Sequence, residues 1–242
     1  MGYYPIDRLN DVWERHGLWG TVRLLPHNLA RAVRSVSPAR LRARRRELEF
    51  DRAYGIDTTA PAALSALGIE PARMRHAVEY RASGVDFIFR TIAELDVDHP
   101  RYTFIDLGSG KGRALLIASH FPFRRIIGVE FSDKLHAIAC ANIAAYRPPD
   151  QRCRRIEAIC GDAGAFEPPD GPLVIYLYNA FDAVILRRVA ARLGASLATK
   201  PRDVMLLYVN PVHRSVLDPL PWLHLVRDDN GTAIYRAHRA PV

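Results

Sequence analysis

The sequence predicts an α/β protein: a mostly parallel sheet that closes on a C-terminal antiparallel hairpin and is preceded by a helical N-terminal extension. Three observations carry this. From about residue 101 onward, short apolar strand-like runs alternate with helical stretches. Residues 173–178 and 203–209 are nearly continuous apolar runs, as strands buried on both faces are. Near the end, Asp229-Asn230-Gly231 stands between two apolar runs, the strongest short-range hairpin signal.

The elements follow in order. Pro26 suits a helix start, and Leu29, Val33 and Val36 then share one face. Ser37-Pro38 reads as an N-cap with a first-turn proline, opening a second helix through Phe50 whose apolar stripe is mainly Leu41 and Leu48. A turn-rich stretch at 55–61 follows, then short helical candidates at 64–67 and 85–95, the latter with Ile88, Ile92 and Leu95 facing a core. Strands are expected at 102–107, 125–130 and 154–160, with helices at 112–120 and after Ser132 between them. The run 173–178 leads into a helix at 182–193 that Gly194 is expected to stop, then the strand 203–209 and the hairpin strands 222–226 and 232–235. Residues 1–60 are read as a basic helical extension and 61–242 as one domain.

Of 242 residues, 49% are hydrophobic and 25% charged, a globular composition with room for one sizeable core. Cys140, Cys153 and Cys160 are odd in number and lack a C-x-x-C spacing, so they support neither a disulfide framework nor a zinc site. No transmembrane-length apolar run or signal-peptide core is present, and the chain reads as cytoplasmic. The net charge of +8 is unevenly spread. Residues 15–46 hold nine arginines and no Asp or Glu, leaving −1 for the rest. The basic stretch therefore offers itself to an anionic partner (nucleic acid, a membrane surface or an acidic protein), or is a solvated helix face. Trp19, Leu24 and Leu25 give it apolar content.

The chemistry lies in Asp106-Leu107-Gly108-Ser109-Gly110-Lys111-Gly112, placed between a strand and a helix. Glycines let the backbone turn sharply and admit a ligand to the main chain. The spacing is not that of a P-loop. Asp106, at the strand end, would repel a pyrophosphate and suit a cationic ligand. Glu130 ends the next strand, where an acid can accept both ribose hydroxyls. Lys111 and Arg113 are expected to point to solvent.

With Ile126-Ile127-Gly128-Val129-Glu130-Phe131-Ser132 and Cys160-Gly161-Asp162-Ala163, this pattern resembles the class I S-adenosylmethionine (SAM)-dependent methyltransferases. Within that class it is similar to bacterial small-molecule or protein methyltransferases, with echoes of the non-SET protein lysine methyltransferases. The resemblance covers roughly residues 80–235 and implies a Rossmann-like methyltransferase sheet, SAM as cofactor, and a methyl acceptor more in keeping with a protein or small molecule than with RNA. It implies that Asp106 holds the methionine ammonium, with backbone contact from Gly108 and Gly110. By the same resemblance Glu130 binds the ribose diol, Phe131 lies against the adenine, and Asp162 with the Ala163 N–H receives the adenine amino group. Asn179 would face the transferable methyl, and Tyr80 would belong to a loop over SAM. Related sequences often carry proline after that asparagine; this chain has Ala180. Asp182, His213 and Asp218 follow the fourth and fifth strands on the ligand-binding rim, and none has a motif that marks it as a base. No metal site is implied, and neither the acceptor nor the oligomeric state can be read.

Two other functions fit parts of the pattern. An NAD(P)-dependent oxidoreductase would share the glycine loop and Glu130, but Asp106 disfavours it. A non-catalytic protein could keep the fold while its arm binds nucleic acid or membrane.

Overall fold

A computed structural model of the chain describes residues 38–62, 83–229 and 231–237. The helical readings at 26–36 and 64–67, and Tyr80, lie outside the described residues. The chain divides into two units, residues 1–49 and 50–242. In the first, the described residues 38–49 are the beginning of helix α1 (Pro38–Tyr54), with Arg42, Arg44, Arg45 and Arg46 exposed. The second carries the sheet and begins at Phe50, so residues 50–60, read from the sequence as part of the extension, belong to it.

The second unit is built on a seven-stranded sheet. Its elements are α2 (Val85–Ala93), β1 (Thr103–Leu107), α3 (Arg113–Ala118), β2 (Arg125–Glu130), α4 (Asp133–Ala145) and β3 (Ile156–Cys160). Then follow β4 (Leu173–Tyr178), α5 (Ala183–Thr199), β5 (Val204–Val209), β6 (His224–Asp229) and β7 (Thr232–Ala237). The strand order is β3-β2-β1-β4-β5-β7-β6. All pairs are parallel except β5–β7 and β6–β7. This is the mostly parallel, Rossmann-like sheet with a C-terminal antiparallel hairpin expected from the sequence. The order reverses between β1 and β4, which puts a crevice at the C-terminal ends of these strands.

Side chains alternate across the sheet. Ile105, Leu107, Ile175 and Leu206 face α5, whose Leu186, Val189 and Leu193 complete one core layer. Phe104, Val174, Met205 and Leu207 face the other way, against Ile88 and Ile92 of α2 and Leu115 and Ile117 of α3. Edge strand β6 is mostly exposed, and a register shift between Leu225 and Arg227 interrupts its pairing. Such irregularity makes an edge a poor template for another strand.

Ser132 is the N-cap that its place before a helical run predicts, and Asp182 proves to be a cap as well. Ser132 caps α4 by accepting the Leu135 N–H, and Asp182 caps α5 by accepting those of Val184 and Ile185. Gly194 does not stop α5, which continues to Thr199. The glycine is there for space: a Cβ at 194 would lie 3.0 Å from Trp222 Nε1. The termination signal lies further on. Buried Arg202 donates to the carbonyls of Ser196 (3.2 Å) and Lys200 (2.8 Å) at the helix end, where the Ser196 carbonyl also accepts the Lys200 N–H.

Gly128, in the middle of β2, is likewise a spacing residue. A Cβ there would come 2.5 Å from Leu115 Cδ1 and 2.8 Å from Ser109 Oγ, so its absence lets α3 and the preceding loop settle onto the sheet. Gly128→Ala is expected to destabilise the fold by about 1–3 kcal/mol through overpacking, read as a lower midpoint in chemical denaturation.

Candidate functional site

The crevice is floored by the ends of β1 and β2. Asp106 is buried near the end of β1, in register with Gly128 of β2 and Tyr176 of β4. By strand alternation Asp106, Glu130 and Tyr176 share the face that carries α3. After Leu107 the chain turns through Gly108 (φ +83°), Gly110 (φ +54°) and Gly112 (φ +84°) before entering α3. Positive φ explains all three glycines. Gly108 has a second reason, since a Cβ there would run into the Ala180 side chain in the loop after β4.

The loop's amides are already engaged. Gly108 and Ser109 N–H both donate to the Val129 carbonyl, at 2.8 and 3.0 Å. Gly110 N–H donates to Glu130 Oε2 at 2.8 Å, and Ser132 N–H to Oε1 at 2.9 Å. A ligand at this loop therefore meets carbonyl oxygens and carboxylates in place of free N–H groups. Such a surface receives hydrogen-bond donors and cations. It suits an ammonium and does not suit a pyrophosphate, which needs those amides.

Two buried acids define its electrostatics. Burial, and then the neighbouring charge of Glu130, push the Asp106 carboxyl up to about 8. Burial raises Glu130 too, opposed by the N–H groups of Ser132, Gly110 and Phe131. A carboxylate offers about four lone-pair positions. Gly110 and Ser132 take one position on each Glu130 oxygen and the Phe131 N–H a third, so at least one is left for a ligand hydroxyl.

The other residues picked out by the resemblance are placed as follows. Phe131 is half-buried beside Glu130. Ala163 is half-buried against the core layer under β1. Asp162 is only partly available, because it accepts the Gly164 N–H at 2.7 Å and pairs with Arg188 at 3.0 Å. It thus braces its own loop as well as standing at the β3 end of the crevice. Asn179 follows β4 with φ +38°, a conformation that asparagine tolerates. Its Oδ1 is buried with no hydrogen-bond partner among the described residues.

Two of the three rim residues considered as bases, Asp182 and Asp218, are occupied. Asp182 caps α5. Asp218 accepts the Tyr235 hydroxyl at 2.7 Å and Arg214 Nε at 3.0 Å, and these hold its carboxyl below the usual range. The backbone N–H of His213 donates to the Tyr208 hydroxyl at 3.2 Å, a bond that does not engage its imidazole.

Lys111 and Arg113 do not point to solvent. Each is only 2% exposed. Lys111 Nζ lies 2.8 Å from both Asp57 oxygens, and Arg113 bonds to Thr58, Thr59 and Ser83. One signal in the sequence could have shown this. A cation in a helix's first turn opposes the helix dipole, so Arg113 needed a compensating partner.

No protein-family model matches the chain, and neither does any curated protein sequence. Solved structures do resemble it. An RNA methyltransferase from Salinibacter ruber, in complex with S-adenosyl-L-homocysteine, is 19% identical with a TM-score of 0.47, over 67% of this chain and 96% of that one. A predicted N6-adenine-specific DNA methylase from Listeria monocytogenes is 14% identical with a TM-score of 0.49, over 73% and 55%. A ribosomal protein L11 methylase from Lactobacillus delbrueckii subsp. bulgaricus is 14% identical with a TM-score of 0.43, over 64% and 76%. The strand order of this chain defines its fold independently of these similarities. Among the described residues, no helix is long and apolar enough to cross a membrane.

The raised Asp106 fixes a pH dependence. Its folded value lies above the ordinary 3.8, so the free protein holds an extra proton and loses stability as pH rises from about 4 to about 8. A cationic ligand needs the ionised form. Affinity for a cationic ligand at this site is therefore expected to rise with pH up to about 8, with proton release on binding near pH 7. Calorimetry in buffers of different ionisation enthalpy measures both, and Asp106→Asn should abolish the trend along with most of the affinity.

Proposed function

We propose that this chain is an enzyme that transfers a methyl group from SAM to an acceptor. The observation that carries the reading is the pairing of two buried acids, Asp106 and Glu130, around a glycine loop whose N–H groups are turned away from the ligand. An acidic, acceptor-lined pocket matches a ligand that presents an ammonium, a sulfonium and a diol. It matches a dinucleotide poorly, because the pyrophosphate would face Asp106 and find the amides of Gly108, Ser109 and Gly110 occupied.

When bound, SAM supplies a methyl made electrophilic by the sulfonium. The protein's tasks are position and exclusion of water. Asp106 and the loop carbonyls would hold the amino-acid end. Glu130 would hold the ribose, with Phe131 against the adenine and Asp162 and Ala163 at its far edge. Tyr80 is proposed as a further contact, from sequence alone. Asn179 Oδ1 would accept a hydrogen from the acceptor's nucleophilic atom, orienting its lone pair toward the methyl. The acceptor atom is then a nitrogen or oxygen that carries a hydrogen, and we place it on a protein or small molecule.

Glu130→Ala removes two hydrogen bonds to a charged acceptor, each worth about 1.5–3 kcal/mol. SAM affinity should fall at least about 100-fold by calorimetry, and unchanged affinity would sink the assignment. Methyl label from SAM incubated with cell extract should enter protein or small molecules. Label in RNA would replace that acceptor, and binding without any transfer would favour a non-catalytic role.

The arginine-rich residues 15–46 are the surface proposed for an anionic partner. In the described part Leu41 and Leu48 are 55% and 38% exposed and form no continuous apolar stripe, which suits charge pairing better than insertion into a bilayer. Changing Arg42, Arg44, Arg45 and Arg46 together to Gln should lower label transfer in extract at low salt and leave SAM affinity intact. The difference should shrink towards about 1 M salt, where the screening length is near 3 Å.

A further inference from the structure

We infer that Arg113, seconded by Lys111, is a positioning residue for the cofactor pocket: it binds residues 51–59 and Ser83 to the base of the glycine loop and so holds the loop in its ligand-receiving shape. The inference rests on the SAM reading above and adds residues that the reading does not use.

Arg113 immediately follows Gly112 and opens α3. Its guanidinium reaches three acceptors on two separate segments. Nε donates to Thr58 Oγ1 at 2.8 Å, Nη2 to Thr59 Oγ1 at 2.5 Å, and Nη1 to the Ser83 carbonyl at 3.1 Å. Behind the threonines stands Asp51, 7% exposed. It accepts the Thr58 and Thr59 N–H groups at 2.9 and 2.7 Å and the Thr58 hydroxyl at 2.6 Å. Its carboxylate is 4.0 Å from Arg113 Nη2. The Thr58 hydroxyl therefore donates to the acid and accepts from the guanidinium, so the charges are joined through one fully buried side chain. A lysine could supply the charge but not the planar fork.

A second fastening lies alongside. Asn142 of α4 donates to the carbonyls of Asp57 (2.8 Å) and Lys111 (2.9 Å), and its Oδ1 accepts the Asp57 N–H at 2.9 Å. The backbone of the glycine loop is thus bridged to residue 57 through one amide, while the Lys111 ammonium pairs with the Asp57 carboxylate. The network also reaches the floor of the site. The Ser83 hydroxyl lies 2.7 Å from that of Tyr176, whose strand position is in register with Asp106.

The reason for so much fastening is the loop itself. Three positive-φ glycines within five residues give the unfolded chain many alternatives, so the native turn is costly in entropy. On the sheet side its amides are held by the Val129 carbonyl and by Glu130. Glu130 is the group that must share its oxygens with a ligand. Holding the loop from the opposite side keeps its carbonyls and the Gly110 N–H in place while that sharing occurs. Arg113 and Lys111 aim their charges at residues 57–59 and Ser83, so they act through loop shape.

The test uses the full chain and three variants: Arg113→Lys, Thr58→Val and Thr59→Val. The readouts are SAM affinity by calorimetry and site-resolved amide hydrogen exchange. Arg113→Lys and Thr58→Val should weaken SAM binding by about tenfold or more and Thr59→Val by a few-fold, as expected for loss of hydrogen bonds to a charged group. Exchange at 108–112 should quicken in each, while the amides of β4 and β5 stay as protected as in the parent protein. A merely structural role would raise exchange everywhere in step with lost stability, and that result overturns the inference. Unchanged affinity and unchanged loop exchange in folded Thr59→Val and Arg113→Lys overturn it as well. If Arg113→Lys does not fold, the two threonine variants carry the test. A parent chain that binds no SAM defeats the methyl-transfer reading instead, and exchange at 108–112 in Thr59→Val still decides whether the network holds the loop.

Discussion

Asp106 and Glu130 are buried together at the C-terminal ends of neighbouring parallel strands, and the site is arranged around the cost of that proximity. Two carboxylates so placed cannot both ionise cheaply without a cation or several N–H donors. Glu130 has donors, from Gly110 and Ser132. Burial and the charge of Glu130 raise the Asp106 carboxyl to about 8. The imbalance gives the pocket its preference for a cation. It also constrains the backbone, because the Gly110 N–H can reach Glu130 only if the loop folds back over β2, and that path needs glycine at 108, 110 and 112.

The sheet supplies the remainder of the geometry. Reversal of strand order between β1 and β4 opens the crevice, and Gly128 lets the loop and α3 sit low upon it. The contact between Gly108 and Ala180 seats the loop after β4 against the loop after β1. Asn179 is thereby brought to the same crevice as Asp106, although 73 positions separate them in the chain. Asn179 Oδ1 is one of several buried polar atoms without a hydrogen-bond partner among the described residues, Ser109 Oγ of the glycine loop being another, and burial raises the Asp106 carboxyl. Strain of this kind is tolerated where a ligand relieves it.

The sequence was most legible where a residue's role depends on its immediate neighbours. Strand β2 (Arg125–Glu130) and strand β4 (Leu173–Tyr178) fall where their apolar runs place them, and the Ser132 cap acts as its position suggests. The glycine loop and its two acids are local features too. Gly194 shows the limit, because a glycine late in a helical run ends the helix in local terms and admits the Trp222 ring in tertiary ones. Lys111 and Arg113 show it more strongly. Two cations beside a glycine loop look solvated until residues 51–59, more than 50 positions earlier, arrive with Asp51, Asp57, Thr58 and Thr59.

The sequence by itself determined the fold class, the glycine loop, the acids at 106 and 130, and the concentration of the net positive charge in residues 15–46, because each follows from short-range pattern or composition. The tertiary structure alone decided which polar groups are spent and which remain available. Asp162, Asp182 and Asp218 are committed to bonds with neighbours, Arg113 and Lys111 are buried partners, and Asn179 Oδ1 is left open. Availability depends on what the rest of the chain brings within hydrogen-bonding distance, and one-dimensional pattern does not encode that distance.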